Sequence, residues 1–460
     1  VDVTSSREDK LSRFGWLSFD FANTIFSMNI VTMYFSLWIL DDLKCPDIVY
    51  SLFYSFSMLM VALLMPYYGQ YSDIKQNKKN FLIKFTIFSI VFTAILGLHA
   101  KLGDSLGLNV GLFDNVTLKI ILALIFFGLA NFFYEGGISF YNALLRSVSS
   151  RENIGSTSGL GVGLGYIGGI VGLIAVFPFV KGSIPGIAAG RESAFIPTAV
   201  LFFIFSIPAF LLIREKTFEK IYESRVRFTE AYGKLRDNLR QARNYKGAFR
   251  FLISNYFFED AVVTAIIFMA VYAEKVVGFT DRVKIEMWVA ATLAAAIGSV
   301  LSGKVSDRIG PKKTLTIIIS GWIVILIAIS TITYKPLFWA AACIVGIFLG
   351  STWTVSRPLL NSLVPDSKLG LFYGLYALSG RTAAIIGPLI WGAIVLFMKS
   401  GNPLVKGFVS LLRLININIS VETLATIQYR FAVTSLAILM AVGLYLFRKV
   451  PDKHNHPDSA

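Results

Sequence analysis

Ionisable side chains interrupt apolar runs at a small number of places in this chain, and their types suggest what they could bind. In the first run, Asp20, Asn23, Thr24 and Ser27 recur at helical spacing on one face. A carboxylate beside an amide and a hydroxyl can receive an ammonium group. A later run carries Asn131, Tyr134, Glu135, Tyr141 and Asn142, with Arg146 at its end. Glu135 lies well inside that run, where burial would favour the protonated acid and allow it to carry a proton. Glu259 and Asp260 are adjacent in a third run, so they face different sides of a helix and at most one need line a cavity. Asp260 and Thr264 repeat the spacing of Asp20 and Thr24. Two arginines, Arg357 and Arg381, enter runs near the end of the chain. A guanidinium is always charged and presents a planar fork suited to a carboxylate or phosphate. Local alternatives exist for most of these groups. Asp20 could cap or pair near a membrane edge, Glu135 could be neutralised by an arginine, and Arg357 could pair with loop acids Asp307 or Asp366.

A charge within an apolar span costs several kcal/mol on insertion scales, so each should face a cavity or a partner. The elements that hold them must therefore be membrane helices. The composition agrees: 55% of residues are apolar, 15% are charged, and the mean hydropathy is +0.66. Twelve runs reach the length of about 20 residues needed to cross a bilayer. They lie near 14–40, 48–70, 80–100, 117–145, 153–180, 194–213, 248–274, 284–303, 312–333, 336–362, 369–398 and 427–448. The net charge of +15 does not indicate nucleic acid, because lysine and arginine gather between alternate runs, as the positive-inside rule expects. Lys75, Lys78, Lys79, Arg146, Arg151, Lys304, Arg308, Lys312 and Lys313 mark cytoplasmic loops, and the acidic 41–47 loop is external. A multi-pass membrane protein with both termini cytoplasmic is expected.

No nucleophile–base pair, phosphate loop or metal-ligand spacing can be assembled, so no enzyme, cofactor or metal is expected. Cys45 and Cys343 show no ligand pattern, and two of the three histidines, His454 and His456, lie in the tail. The glycine series Gly161, Gly165, Gly168, Gly169 and Gly172 reads as close helix packing, since a dinucleotide loop would need a preceding strand.

One polar signature occurs twice. Residues 69–79 read GQYSDIKQNKK and residues 303–313 read GKVSDRIGPKK, each between consecutive runs. Gly69, Asp73, Gly303, Asp307 and Arg308 thus form matched loops, in which glycine would let helix ends approach and aspartate would pair near helix termini. Such duplication implies two homologous bundles. The division expected is 1–213 and 248–460 as six-helix bundles, joined by a basic amphipathic linker, 214–247, on the inner membrane surface. A short interfacial helix is expected at Leu411 to Ile417.

Six spans, a basic linker and six more, with the two marker loops, resemble the major facilitator superfamily. The resemblance implies an all-α membrane protein with twelve transmembrane helices in two pseudo-symmetric bundles. The blocks GWLSFDFAN, FYNALLRSVSSRENIGSTSGLGVGLGYIGG and FYGLYALSGRTAAIIGPLIWG resemble one branch, the vacuole-effluxer-like or unknown major facilitator family. Its fungal members export amino acids, notably leucine, from the vacuole. The chain departs from that pattern at Arg146, where the family commonly has proline. Alternating access is expected, with the in-span polar residues Asp20, Asn23, Tyr134, Asp260 and Arg381 on a small-molecule substrate. Glu135 or Glu259 would carry a coupling proton, and Gly69, Asp73, Arg146, Gly303, Asp307, Arg308 and Arg357 would gate. The expected partners are that solute, the bilayer and a proton, with a monomer as the working unit. Rival readings are a lipid or lysolipid transporter, a drug effluxer, and a non-transporting receptor of the same fold.

The loop charges make a direct prediction. Alkaline phosphatase fused after Val450 should stay inactive while a fluorescent protein at the same point should fold and fluoresce. The opposite pattern would invert the topology.

Overall fold

A computed structural model describes residues 3–101, 116–149, 154–215, 228–365, 369–398, 402–403, 405–407, 410 and 424–452. The expected interfacial helix at Leu411 to Ile417 lies outside them. Twelve helices among the described residues are long and apolar enough to cross a membrane. α1 begins as Val3–Phe26 and passes into π-helical Ser27–Tyr34, a short α turn Phe35–Leu37 and a second π segment Trp38–Asp42. The remaining helices of the first half are α2 Asp47–Lys75, α3 Lys78–Lys101, α4 Leu118–Val148, α5 Ile154–Val180 and α6 Phe195–Leu212. The linker helix Phe228–Ala242 follows. The second half comprises α7 Lys246–Lys275, α8 Asp281–Ile309, α9 Pro311–Thr331, α10 Lys335–Leu363, α11 Leu369–Phe397 and α12 Ile427–Phe447.

The chain folds as two compact units. One comprises Val1–Cys45 with Phe56–Leu235, and the other Pro46–Ser55 with Arg236–Ala460. The division therefore falls inside the linker helix, and the first turns of α2 fold with the second unit. There Ser55 donates to the Ile385 carbonyl at 2.8 Å, and Tyr50 meets Phe268 edge-on with centroids 5.6 Å apart.

Large apolar side chains such as Phe56, Leu211 and Val324 remain exposed on helix surfaces. That is the distribution required of helices facing hydrocarbon, where exposed side chains need not be polar. The spans that begin each half, α1 and α7, are the most enclosed. In lipid, helix association rests on close packing rather than on expulsion of water. Small residues provide it. A side chain at Gly168 of α5 would overlap the Phe21 carbonyl of α1, and in the second unit Gly346 and Gly350 of α10 bring that helix against the carbonyls of Ala291 and Ala295 in α8. The spacing of Gly346 and Gly350 is the small-x3-small pattern that favours such crossings.

The two marker loops turn by different means. Gly310, at φ +90°, ends α8, and Pro311 opens α9 with a ring whose fixed φ suits the first helical position. In the first loop the left-handed position is taken by Gln76, at φ +45°. Neither marker glycine mediates a close helix approach: a Cβ at Gly69 would meet nothing within 4 Å, and one at Gly303 would meet only Thr354 Cγ2 at 3.9 Å. The expected steric role of these glycines is thus replaced by turn geometry a few residues later.

The linker helix carries Tyr232, Leu235, Leu239 and Ala242 at helical spacing on one side, and Arg236, Asp237 and Arg240 elsewhere. The Tyr232 hydroxyl donates to the Leu63 carbonyl of α2, which ties the linker's first turns to the first unit.

A buried ion cluster joins α7 to α8. Lys284 has no exposed side-chain surface, and its ammonium meets Glu274 Oε2 and, at 2.8 Å, Asp281 Oδ1. Removing one partner of such a cluster leaves like charges facing each other with little water. Lys284→Met should therefore lower the unfolding free energy by about 3 kcal/mol. Thermal unfolding of the purified protein in detergent checks this, and the loss should shrink when Glu274→Gln is added.

Candidate functional site

In the first unit the polar stripe of α1 is assembled with α4 and α5. Asn23 Nδ2 donates to Asp20 Oδ1 at 3.2 Å, and Thr24 Oγ1 donates to the Asp20 carbonyl at 2.9 Å. Asn23 is buried while Asp20 is only part-buried. The wall behind them is aromatic. Trp16 Nε1 donates to the Tyr141 carbonyl at 2.9 Å, and the two rings stack with centroids 4.3 Å apart. α5 comes so close because it presents glycine. A Cβ at Gly161 would sit 2.7 Å from Asp20 Oδ2 and 3.2 Å from the Tyr141 hydroxyl, and one at Gly165 would sit 3.0 Å from Thr24 Oγ1. Carboxylate, phenol and amide therefore converge over the glycine face of α5. Tyr134 is buried against Phe26, with ring centroids 4.5 Å apart, and lies within electrostatic reach of both Glu135 and Asp20. Glu135 is part-buried beside it. The π-helical stretch of α1 starts directly after this stripe, a placement common at functional sites.

In the second unit, Glu259 and Asp260 turn to different neighbours, as adjacency requires. Glu259 is buried and faces α10. Trp353 Nε1 donates to its Oε2 at 3.2 Å, and the Arg357 guanidinium acts on it electrostatically. Trp353 and Arg357 are one helical turn apart, so one face of α10 presents both an N–H donor and a cation. Tyr376 of α11 completes the group: Glu259 and Arg357 both act on its hydroxyl, which also bonds Ser356, and its ring is near-parallel to Phe251 with centroids 6.3 Å apart. Arg357 is thus placed with a membrane-embedded acid as well as near the end of its helix.

Asp260 faces α11 instead. It has no exposed surface, and its Oδ1 accepts the Gly387 N–H at 2.7 Å. Thr264, one turn on, is equally buried. A Cβ at Gly387 would overlap Thr264 Oγ1 and sit 2.6 Å from Asp260 Oδ1. In this structure Asp260 thus meets the backbone of α11. Arg381 lies part-buried on the same helix, which Ser379 holds to α7 by donating to the Leu252 carbonyl at 3.2 Å.

Among the gating candidates, Asp307, Arg308 and Arg357 are exposed. The side chains of Asp73 and Arg146 lie outside the described residues. The sequence reading passed over Trp353, Tyr376 and Gly387. Trp353 could have been found from its place one turn before Arg357. Gly387 could have been found from the Gly-Pro pair at 387–388, which interrupts a helix that must otherwise be continuous. No group of three or more metal-ligating side chains occurs among the described residues.

With this geometry in view, comparison with known proteins is informative. Residues 49–424 match the family model described as "Vacuole effluxer Atg22 like". The match begins in α2, so the polar stripe of α1 precedes it. An uncharacterized MFS-type transporter of Bacillus subtilis, YxiO, is 24% identical over 450 residues, covering 95% of this chain and 94% of the relative. Autophagy-related protein 22 of Yarrowia lipolytica is 21% identical over 292 residues, covering 57% of this chain and 49% of the fungal protein. Among solved structures, a mutant of the nucleoside transporter NupG superposes with a TM-score of 0.69 at 14% identity, covering 95% of this chain and 99% of that one. A bacterial homologue of the human lysosomal transporter Spinster superposes with a TM-score of 0.64 at 14% identity, covering 97% of each chain. Both share the twelve-helix architecture.

The Glu259 group makes a prediction by double-mutant cycle. Trp353→Phe and Glu259→Gln should each destabilise, and together should cost less than their sum by about 1.5–3 kcal/mol, the range for a hydrogen bond to a charged group. Additive losses in thermal unfolding would show that the indole and the carboxylate do not act on each other.

Proposed function

Because the chain belongs to the vacuole effluxer Atg22-like family of major facilitator transporters, we propose that it exports amino acids or a related zwitterionic or anionic metabolite by alternating access. The supporting observation is the α1 stripe. Asp20 is the part-buried carboxylate of a span, held by Asn23 and walled by Trp16 and Tyr141. That environment suits an ammonium group, which offers several donors to a carboxylate, an amide oxygen and a phenol. In this reading the first unit supplies Asp20, Asn23 and Tyr134 for the amino group. The second supplies Arg381, whose planar fork suits a carboxylate. Glu135 and Glu259 are the candidates for a coupling proton, since each is an acid within a span. The protein works as a monomer in the cell membrane with both termini in the cytoplasm, as the loop charges suggest.

A ligand that binds the folded protein raises its unfolding temperature by mass action. Screening the purified protein against amino acids, peptides, nucleotides and lysolipids should give saturable stabilisation by zwitterionic amino acids. Asp20→Asn and Arg381→Ala should each weaken the half-saturating concentration at least about tenfold, the loss of one charge-assisted contact. The same variants should lose flux of that solute in proteoliposomes. Full flux in both variants would remove these residues from the site, and stabilisation by lysolipids alone would replace the substrate class.

A further inference from the structure

The second unit seals a carboxylate that the carrier reading leaves without a task. Asp260 has zero exposure, and no lysine or arginine pairs with it among the described residues. Its Oδ1 is taken by the Gly387 N–H, while its Oδ2 is buried without a hydrogen-bond partner. That bond satisfies one oxygen of the carboxyl group and leaves the other without a donor or counter-charge.

Thr264 gives an independent indication. Threonines in these helices ordinarily donate to the carbonyl one turn earlier: Thr24, Thr86, Thr93, Thr198 and Thr354 all do so, at 2.7–2.9 Å. Thr24 is the counterpart of Thr264 in the first unit. Thr264, like Thr32 and Thr157, makes no such bond: its buried Oγ1 has no hydrogen-bond partner, and it occupies the space that the missing side chain of Gly387 leaves on α11. Asp260 Oδ1 and Thr264 Oγ1 thus both lie against Gly387, and neither Asp260 Oδ2 nor the Thr264 hydroxyl has a hydrogen-bond partner.

α11 adds a third oxygen. Pro388 has no N–H, so the Ala384 carbonyl loses its helical donor. Residues 384, 387 and 388 share one side of the helix by their spacing. Carbonyls released at such interruptions are the usual ligands of a small cation within a membrane.

We propose that Asp260 Oδ2, Thr264 Oγ1 and the Ala384 carbonyl form a binding site for one dehydrated monovalent cation of sodium size. All three donors are hard oxygens, which suit a hard cation rather than a transition metal. One carboxylate supplies one compensating charge, and the neighbouring Glu259 is turned to Trp353 and Arg357, so a divalent ion would be left undercompensated. The site needs glycine at 387, because a side chain there would occupy the space of the Thr264 oxygen.

The test uses the full-length protein in detergent with no transported solute, so its failure leaves the export reading untouched. Thermal unfolding is followed while NaCl replaces choline chloride or KCl at constant ionic strength. Sodium should raise the midpoint saturably and potassium and choline should not. Asp260→Asn should abolish the sodium increment. Thr264→Val, which keeps the shape of the side chain, should weaken half-saturation at least about tenfold, and Thr264→Ser should restore it. Should Asp260→Asn fail to fold, the valine and serine pair still decides the matter. Equal midpoints in all three salts would overturn the site. So would a sodium increment that survives Thr264→Val unchanged. Stabilisation in choline by falling pH, lost in Asp260→Asn, without any sodium effect, would assign the carboxyl a proton instead.

Discussion

A carboxylate in a membrane span has to be answered at short range, since hydrocarbon offers it nothing. Central placement of a charge costs about 2.5–3.5 kcal/mol on insertion scales, and a hydrogen bond to a charged group returns about 1.5–3 kcal/mol. One bond nearly offsets the cost, but only if the donor can come within hydrogen-bonding distance. Helix backbones approach that closely where one of them has no side chain. Gly387 of α11 is therefore the condition on which Asp260 of α7 depends, while the glycines of α5 let that helix lie against Asp20 of α1.

Both units use the same local arrangement. In the first, Asp20 and Thr24 lie over Gly161 and Gly165. In the second, Asp260 and Thr264 lie over Gly387. The arrangements have diverged in what completes them. Asn23 supports Asp20 from the same helix and leaves it part-buried, whereas Asp260 bonds the α11 backbone itself and is sealed. The difference follows from Pro388. α5 is interrupted by proline only near its end, at Pro178, so its glycines serve as a smooth face, while α11 is interrupted at the contact. A duplicated scaffold thus holds one acid part-buried and the other fully enclosed.

Glu259 is answered differently, by an indole N–H and a guanidinium from one face of α10. Neither group needs a close backbone approach, because both reach across on long side chains. This explains why adjacent acids on α7 can coexist: their partners come from different helices and by different chemistry. Elsewhere the first unit fills space with rings, such as Phe85 packed against Phe133 and Phe140. Shape complementarity of that kind holds helices together where water expulsion does not act.

Much of this architecture is legible in the residue order. Apolar runs of spanning length, basic residues in alternate loops and the duplicated marker motif define twelve helices in two related halves, because hydrocarbon thickness and backbone hydrogen bonding leave few other solutions. The glycine series of α5 announced a close helix contact, though not that its partner is α1, and the helical spacing of Asp20, Asn23 and Thr24 announced a single polar face. Tertiary structure alone decided which partner each charge received. Spacing showed that Glu259 and Asp260 diverge, but not that one meets Trp353 and Arg357 while the other meets Gly387. It also did not reveal that neither marker glycine sits at a close helix approach. Periodicity fixes the face on which a side chain lies; the neighbour opposite that face depends on helix rotation and on which small residues permit contact, and these are properties of the packed bundle.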